Sequence, residues 1–218
     1  MELKPSLDFL TRLKENNNKV WFDENRKEYE SCRAQILEIV QKLIEGIASF
    51  DPSLTAVEAK QCIFRINRDI RFSKDKTPYK TNFGALMGAA GRKTEGTGYY
   101  FHVAPGHVFT GGGIYKPQPD MLAKIRQEID YNSADLVKVI EAPGFKERFG
   151  EIQGEQLKTA PKGYPKDHPF IHLLRYKSYY VLEEYSDKNA CSENFIKKAL
   201  ESYKEAFSFN QFLNDAIN

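Results

Sequence analysis

Between Cys62 and Phe72 the chain alternates: Cys62, Phe64, Ile66, Ile70 and Phe72 fall on one side of an extended backbone, and Arg65, Asn67, Asp69 and Arg71 on the other. A period of two predicts a strand with one core face and one polar face. Arg68 interrupts the alternation by landing among the apolar positions. Either the strand bulges there, or the guanidinium is partly buried and finds partners. After Phe72 the pattern stops. Ser73-Lys74-Asp75-Lys76-Thr77-Pro78 has the composition of a loop, with Pro78 biasing Thr77 towards an extended backbone.

Elsewhere the period lengthens. Leu7, Leu10 and Leu13 mark a short helix opened by Ser6 and ended by Asn16-Asn17-Asn18. Phe22, Asn25, Tyr29, Cys32, Ile36, Ile39, Leu43 and Ile47 recur at three- and four-residue steps and predict a longer amphipathic helix that stops before Asp51-Pro52. Phe83 to Ala90 is small and apolar, as in a buried strand or a segment closely approached by another backbone. Tyr99 to Ala104 and His107 to Thr110 flank Pro105-Gly106 and read as a hairpin. Gly111-Gly112-Gly113 ends its second arm as a bulge or bend, or else as the wall of a pocket.

Helical spacing returns after Pro117 and Pro119, with Leu122, Ile125 and Ile129, and again after Ser133. Arg126 lies beside that apolar stripe, either as an inward-reaching partner for the central carboxylates or as a surface arginine. Phe145 to Pro169 is a long segment rich in Gly, Pro and Lys, the kind of loop that lies over a site. Leu173 to Tyr185 reads as another strand, and Ser192 opens a final helix through Phe195, Ala199, Tyr203 and Phe207.

Strands cluster in the middle and helices at the ends. The fold expected is α+β: a mainly antiparallel central sheet flanked by N- and C-terminal helices, in one domain over 1–218. Within it, 1–50 is helical, 60–115 carries the central strands, 116–150 helices, 170–186 a strand and 192–217 the last helix. Nothing suggests repeated βαβ units or a dinucleotide fingerprint.

Bulk properties narrow the function classes. A net charge of +2 makes the surface as a whole no polyanion binder, so any basic character is local. Cys32, Cys62 and Cys191 are odd in number and form no C-x-x-C unit, which favours a reducing compartment. Residues 1–10 lack the apolar core of a signal peptide, and no stretch is apolar enough to span a bilayer. A cytoplasmic protein with no membrane partner is expected. No signal points to a particular oligomeric state.

The chemistry concentrates where the alternation was found. Arg65, Arg68, Arg71, Lys76 and Lys80 outnumber Asp69 and Asp75, and planar Arg forks with Lys point charges suit phosphate and carboxylate. These cations, with Lys162, Arg175 and Lys177, are the expected contacts for a phosphorylated or carboxylated small molecule. Were the site catalytic, Asp69 or Asp75 would be the general acid or base, Tyr79 or His102 the proton shuttle, and the arginines clamps for developing negative charge. The sequence does not separate binding from turnover. It also leaves two other classes open: a nucleic-acid module stacking bases on Tyr79, Tyr99 and Tyr100, against which the near-neutral charge counts, and a structural protein fixed by a buried salt-bridge network.

No cofactor is implied. His168 and His172 have the i,i+4 spacing of a helical metal clamp but lack the glutamate of H-E-x-x-H, so no metal is expected. Gly84 to Thr94 fails as a phosphate loop, since Arg92 stands where G-x-x-x-x-G-K-[ST] needs glycine.

The run Phe64-Arg65-Ile66-Asn67-Arg68-Asp69 and Arg71-Phe72-Ser73-Lys74-Asp75-Lys76-Thr77-Pro78-Tyr79-Lys80-Thr81 resembles the signature of the domain of unknown function 2461 family, a group of uncharacterised conserved proteins. Asn16-Asn17 with Trp21-Phe22 and Tyr29, Gly98-Tyr99-Tyr100, Gly112-Gly113, Arg126, Pro161-Lys162-Gly163-Tyr164, Leu174 and Lys177 agree as well. The resemblance spans nearly the whole chain. It implies kinship and carries no mechanism.

Overall fold

A computed structural model of the protein describes residues 3–218. Three helices open the chain: α1 (Lys4–Glu15), α2 (Lys19–Glu24) and α3 (Arg26–Ala48). Leu7, Phe9, Leu10 and Leu13 bury one face of α1, and Ser6 lies inside that helix, buried, instead of capping it. The three asparagines after α1 divide the work. Asn16 closes α1 through its backbone N–H to the Arg12 and Leu13 carbonyls, and the Asn18 side chain caps α2 by accepting from the Trp21 N–H. Asn17, between them, reaches Tyr79. Helix α3 buries Cys32, Ile36, Ile39, Val40, Leu43, Ile44 and Ile47 and packs against α1.

The run expected as a strand, 62–72, takes another form. Cys62 ends a one-turn helix, α4 (Ala59–Cys62), and the chain beyond it pairs only through isolated antiparallel bridges, Ile63 with Ala85 and Asn67 with Tyr79. The second bridge folds the segment back on its own continuation, so it forms no extended ladder with a separate strand. Ile63 and Ile66 are buried, but Phe72, assigned above to the core face, is 96% exposed. Of the two readings of Arg68, the partnered guanidinium is the one found.

Four strands make one antiparallel sheet in the order of the chain: β1 (Phe83–Met87), β2 (Gly98–Ala104), β3 (His107–Ile114) and β4 (Tyr179–Tyr185). The Pro105-Gly106 hairpin forms as expected, and the Gly106 N–H donates to the Asp187 carboxylate at 3.0 Å. The glycine triplet meets protein on its bare sides. A side chain at Gly112 would run into Ala206, and one at Gly113 into the Tyr179 carbonyl. The remaining helices are α5 (Pro119–Tyr131), α6 (Ser133–Ile140), α7 (Pro143–Phe149), α8 (Ile171–Leu174), α9 (Asp187–Ala190) and α10 (Phe195–Ile217), and helices flank the sheet.

The chain divides into two compact units. The first runs up to Lys93 and adds Tyr100–Thr110 and Glu184–Leu200. Its helical part is held by Phe9, Phe22, Tyr29 and Phe83, whose rings pack with centroids 5.0 to 6.5 Å apart, and Phe101 and Tyr185 close on Phe195. The second unit comprises Thr94–Tyr99, Gly111–Glu183 and Glu201–Asn218, around a core of Ile125, Ile129, Leu136, Phe145, Leu174, Tyr179, Phe209 and Leu213. There Arg126 turns inward, but to carbonyls: its Nε donates to Leu174 at 2.8 Å and a terminal nitrogen to Tyr176 at 3.0 Å.

Candidate functional site

The site is best built outward from Tyr79, which fixes its neighbour Lys80. The Tyr79 ring stacks on Phe22 with centroids 3.9 Å apart. Its backbone N–H donates to Asn17 Oδ1 at 3.1 Å, and its carbonyl accepts from Asn17 Nδ2 at 2.9 Å. Lys80 then donates its own N–H to the Ile66 carbonyl at 2.8 Å. With the backbone leading into it held in this way, Lys80 projects beside Arg65 and Asn67 of the returning segment.

Those residues form part of a cleft of about 630 Å³ within the first unit. Helix α3 contributes Tyr29 and Arg33, one helical turn apart and so on one face. Lys60 comes from α4, and Arg92 and Lys93 from a single 3-10 turn (Gly91–Lys93) anchored by an Arg92 bond to the Gln61 carbonyl at 3.0 Å. Arg33, Lys60, Arg65, Lys80, Arg92 and Lys93 are all basic, and no Asp or Glu lies among the lining residues.

Two of these lysines differ in their electrostatics. Lys60 pairs with Glu58 at 2.7 Å, and the carboxylate raises its pKa. Lys80 is half-buried, makes no salt bridge among the described residues, and holds its ammonium 5.4 Å from the Phe64 ring centroid. Burial lowers its pKa, and the positive charge of Arg65 lowers it further. Tyr29, also in the lining, has its phenol pKa raised by burial.

Most of the expected cations and carboxylates are engaged elsewhere. Asp75 accepts from the Thr77 N–H and hydroxyl, each at 2.9 Å, and from Arg68 at 2.5 Å; Arg68 also donates to the Thr77 hydroxyl and carbonyl. Those bonds, led by the Thr77 N–H, hold the Asp75 carboxyl down at about 2. Arg71 grips Asp69 with two bonds at 2.9 and 2.7 Å, which lowers the Asp69 pKa, and Lys76 donates to the Ile70 carbonyl at 3.0 Å. Arg68, Asp69, Arg71, Asp75 and Lys76 thus find their partners within the signature loop, and none of these five residues lines the cleft.

His102 stands on the sheet, stacked on Phe109 with centroids 4.6 Å apart and Nδ1 3.3 Å from the Tyr100 hydroxyl. Burial, aided by the charge of nearby His107, lowers its pKa to about 4. In the second unit Lys162 is exposed, Arg175 donates to the Leu157 carbonyl at 2.6 Å, and Lys177 pairs with Glu155. His168 has both ring nitrogens occupied: Nδ1 accepts from the Phe170 N–H, so Nε2 carries the proton towards Asp130 at 2.8 Å.

Of the side chains expected to contact a ligand or to act in catalysis, Arg65 and Lys80 line the cleft. Arg33, Lys60, Arg92 and Lys93 join them without having been foreseen. The one local signal was the i,i+4 relation of Tyr29 and Arg33 on a helix already read as amphipathic. The convergence of α3, α4 and the 91–93 turn is tertiary and leaves no mark on the spacing.

An antiparallel sheet flanked by helices, with a basic cleft in its first unit, defines this as an α+β protein with no helix, among the described residues, long and apolar enough to cross a membrane. The chain belongs to the DUF2461 family, described as a conserved hypothetical protein, whose model matches residues 5–212. No curated protein and no solved structure matches it.

Proposed function

We propose that the cleft binds a small anion, a phosphorylated or carboxylated molecule. The observation that carries this reading is the lining itself: six basic side chains and no carboxylate around a space of about 630 Å³, within the range of small-molecule sites. Arg33, Arg65, Lys80 and Lys93 make no salt bridge among the described residues, so an incoming anion has no internal carboxylate to displace from them. Tyr29 and Phe64 add apolar surface for the body of the ligand. Because Asp69 and Asp75 are tied to Arg71, Arg68 and Thr77, binding is better supported than acid–base work by those two groups.

Thermal unfolding at low ionic strength against inorganic phosphate, nucleotides, sugar phosphates and carboxylates tests this. A ligand at a hundredfold excess over its Kd raises stability by about 2.7 kcal/mol. The shift should vanish in Arg65→Glu. Arg65 is exposed and makes no salt bridge among the described residues, so the unliganded variant should match the parent within about 0.5 kcal/mol. No shift with any anion at low salt overturns the proposal, and a shift confined to single-stranded DNA or RNA would replace the small molecule with nucleic acid.

A further inference from the structure

We propose that Lys80 forms an imine with the carbonyl carbon of an anionic aldehyde or 2-oxo acid held in the cleft. This rests on the anion-binding reading and deepens it by naming the reactive class.

A lysine that attacks carbonyl carbon needs three things: a neutral amine at working pH, a fixed position and access to the ligand. Lys80 has features that favour each. Its ammonium makes no salt bridge among the described residues, and half-burial beside Arg65 lowers its pKa, which raises the share of free amine, whereas Glu58 raises the pKa of Lys60 in the same cleft. The Asn17 clamp, the Phe22 stack and the Ile66 hydrogen bond fix the backbone that leads into its Cα. Its side chain lines the cleft with Arg65 and Arg33, cations able to hold a phosphate or carboxylate while the carbonyl faces the amine. A lysine meant only for charge would gain from a carboxylate neighbour; this one is placed where the free amine is favoured.

The step balances without an oxidant or reductant. The Nζ lone pair attacks the carbonyl carbon, the C=O π pair moves to oxygen, and oxygen takes a proton from solvent. Nitrogen returns one proton to solvent, giving the neutral carbinolamine; its hydroxyl then takes up a proton and leaves as water while the nitrogen lone pair forms the C=N bond and nitrogen gives up its second proton. One water is released for each imine made.

The test is reductive trapping on the unmodified full chain with cyanoborohydride, which delivers hydride to the imine carbon and makes the link permanent. Pyridoxal 5′-phosphate serves as the phosphorylated aldehyde, glyoxylate as the carboxylated one and pyridoxal as the uncharged control, with labelled lysines mapped by peptide mass. Lys80 should label faster than exposed Lys74, as its position in the cleft and its lowered amine pKa require, with the anionic probes outpacing pyridoxal and inorganic phosphate slowing them. Labelling of Lys80 no faster than Lys74 overturns the imine. Should phosphate still raise the unfolding temperature in that case, anion binding stands alone; should it not, both readings fall together. Fast labelling that is indifferent to the probe's charge and to phosphate overturns the anionic class.

Discussion

Asn17 and Tyr79, separated by 62 positions, share two hydrogen bonds through one side chain: the amide nitrogen donates to the Tyr79 carbonyl and the amide oxygen accepts from the Tyr79 N–H. A side chain here does what a partner strand does in a sheet. Asn17→Ala leaves both half-buried backbone groups unpaired, which should cost about 1–3 kcal/mol in urea unfolding. It should also slow trapping at Lys80 while leaving Lys74 unaffected, since only Lys80 depends on the clamp.

Asp75 supplies a prediction in acid. Its folded-state pKa, about 2, lies below the ordinary 3.8. A depressed carboxylate stabilises the fold above its unfolded value, and that contribution is lost as pH falls from about 4 to about 2. Carboxyl-carbon NMR should show Asp75 titrating near 2 in the parent and closer to 3.8 in Arg68→Ala, with the residual depression due to the Thr77 N–H. An unchanged titration in Arg68→Ala would mean that the arginine contributes nothing to the shift.

His102 sets a second pH window, nearer neutrality. Its pKa falls from 6.5 to about 4 because burial disfavours the charged ring. Between those values the unfolded chain binds a proton that the native state refuses, so stability declines as pH drops from about 6.5 to 4. In His102→Phe, which preserves a ring against Phe109, that slope should flatten in denaturant titrations run across the window. A slope as steep as the parent's would assign it to other groups.

Gly113 and Gly106 test backbone against packing. Both have positive φ, 124° and 72°, but a side chain at Gly106 meets nothing within 4 Å, whereas one at Gly113 collides with the Tyr179 carbonyl. Gly106→Ala should cost only the left-handed penalty, about 1–2 kcal/mol. Gly113→Ala adds a backbone collision to that penalty and should lower the melting temperature several degrees further. Equal effects would mean that β3 can shift to make room.

Helices were legible because their apolar spacing is set by burial on one side. Ile36, Ile39, Leu43 and Ile47 are on the buried face of α3 as the period implied, and the Pro105-Gly106 turn announced its hairpin. The segment from Cys62 to Phe72 misled because alternation records which faces are wet, not whether a partner strand exists. It meets β1 only through the single bridge of Ile63 to Ala85 and otherwise pairs with its own continuation at Tyr79, and Phe72 lies beyond both bridges in solvent. The cleft was half hidden for a related reason. A dense charge run drew attention to Arg68, Asp69, Arg71 and Asp75, which neutralise one another, while nothing in the spacing singled out Arg33 or Lys93, which tertiary packing brings into the same cleft as Lys80.

The span that Asn17 bridges also bears on assembly. Contacts between residues distant in sequence must await closure of the chain between them. Helices α1 and α3 can gain their turns early from local bonds, but Lys80 is fixed only when residue 79 has returned to residue 17. A nascent chain that has emerged no further than α4 already carries Arg33 and Lys60, yet lacks the Arg65 and Lys80 wall. On the proposed reading of the cleft, competence to hold an anion therefore arrives only after residues 17 and 79 have met, so binding would report that this contact has closed.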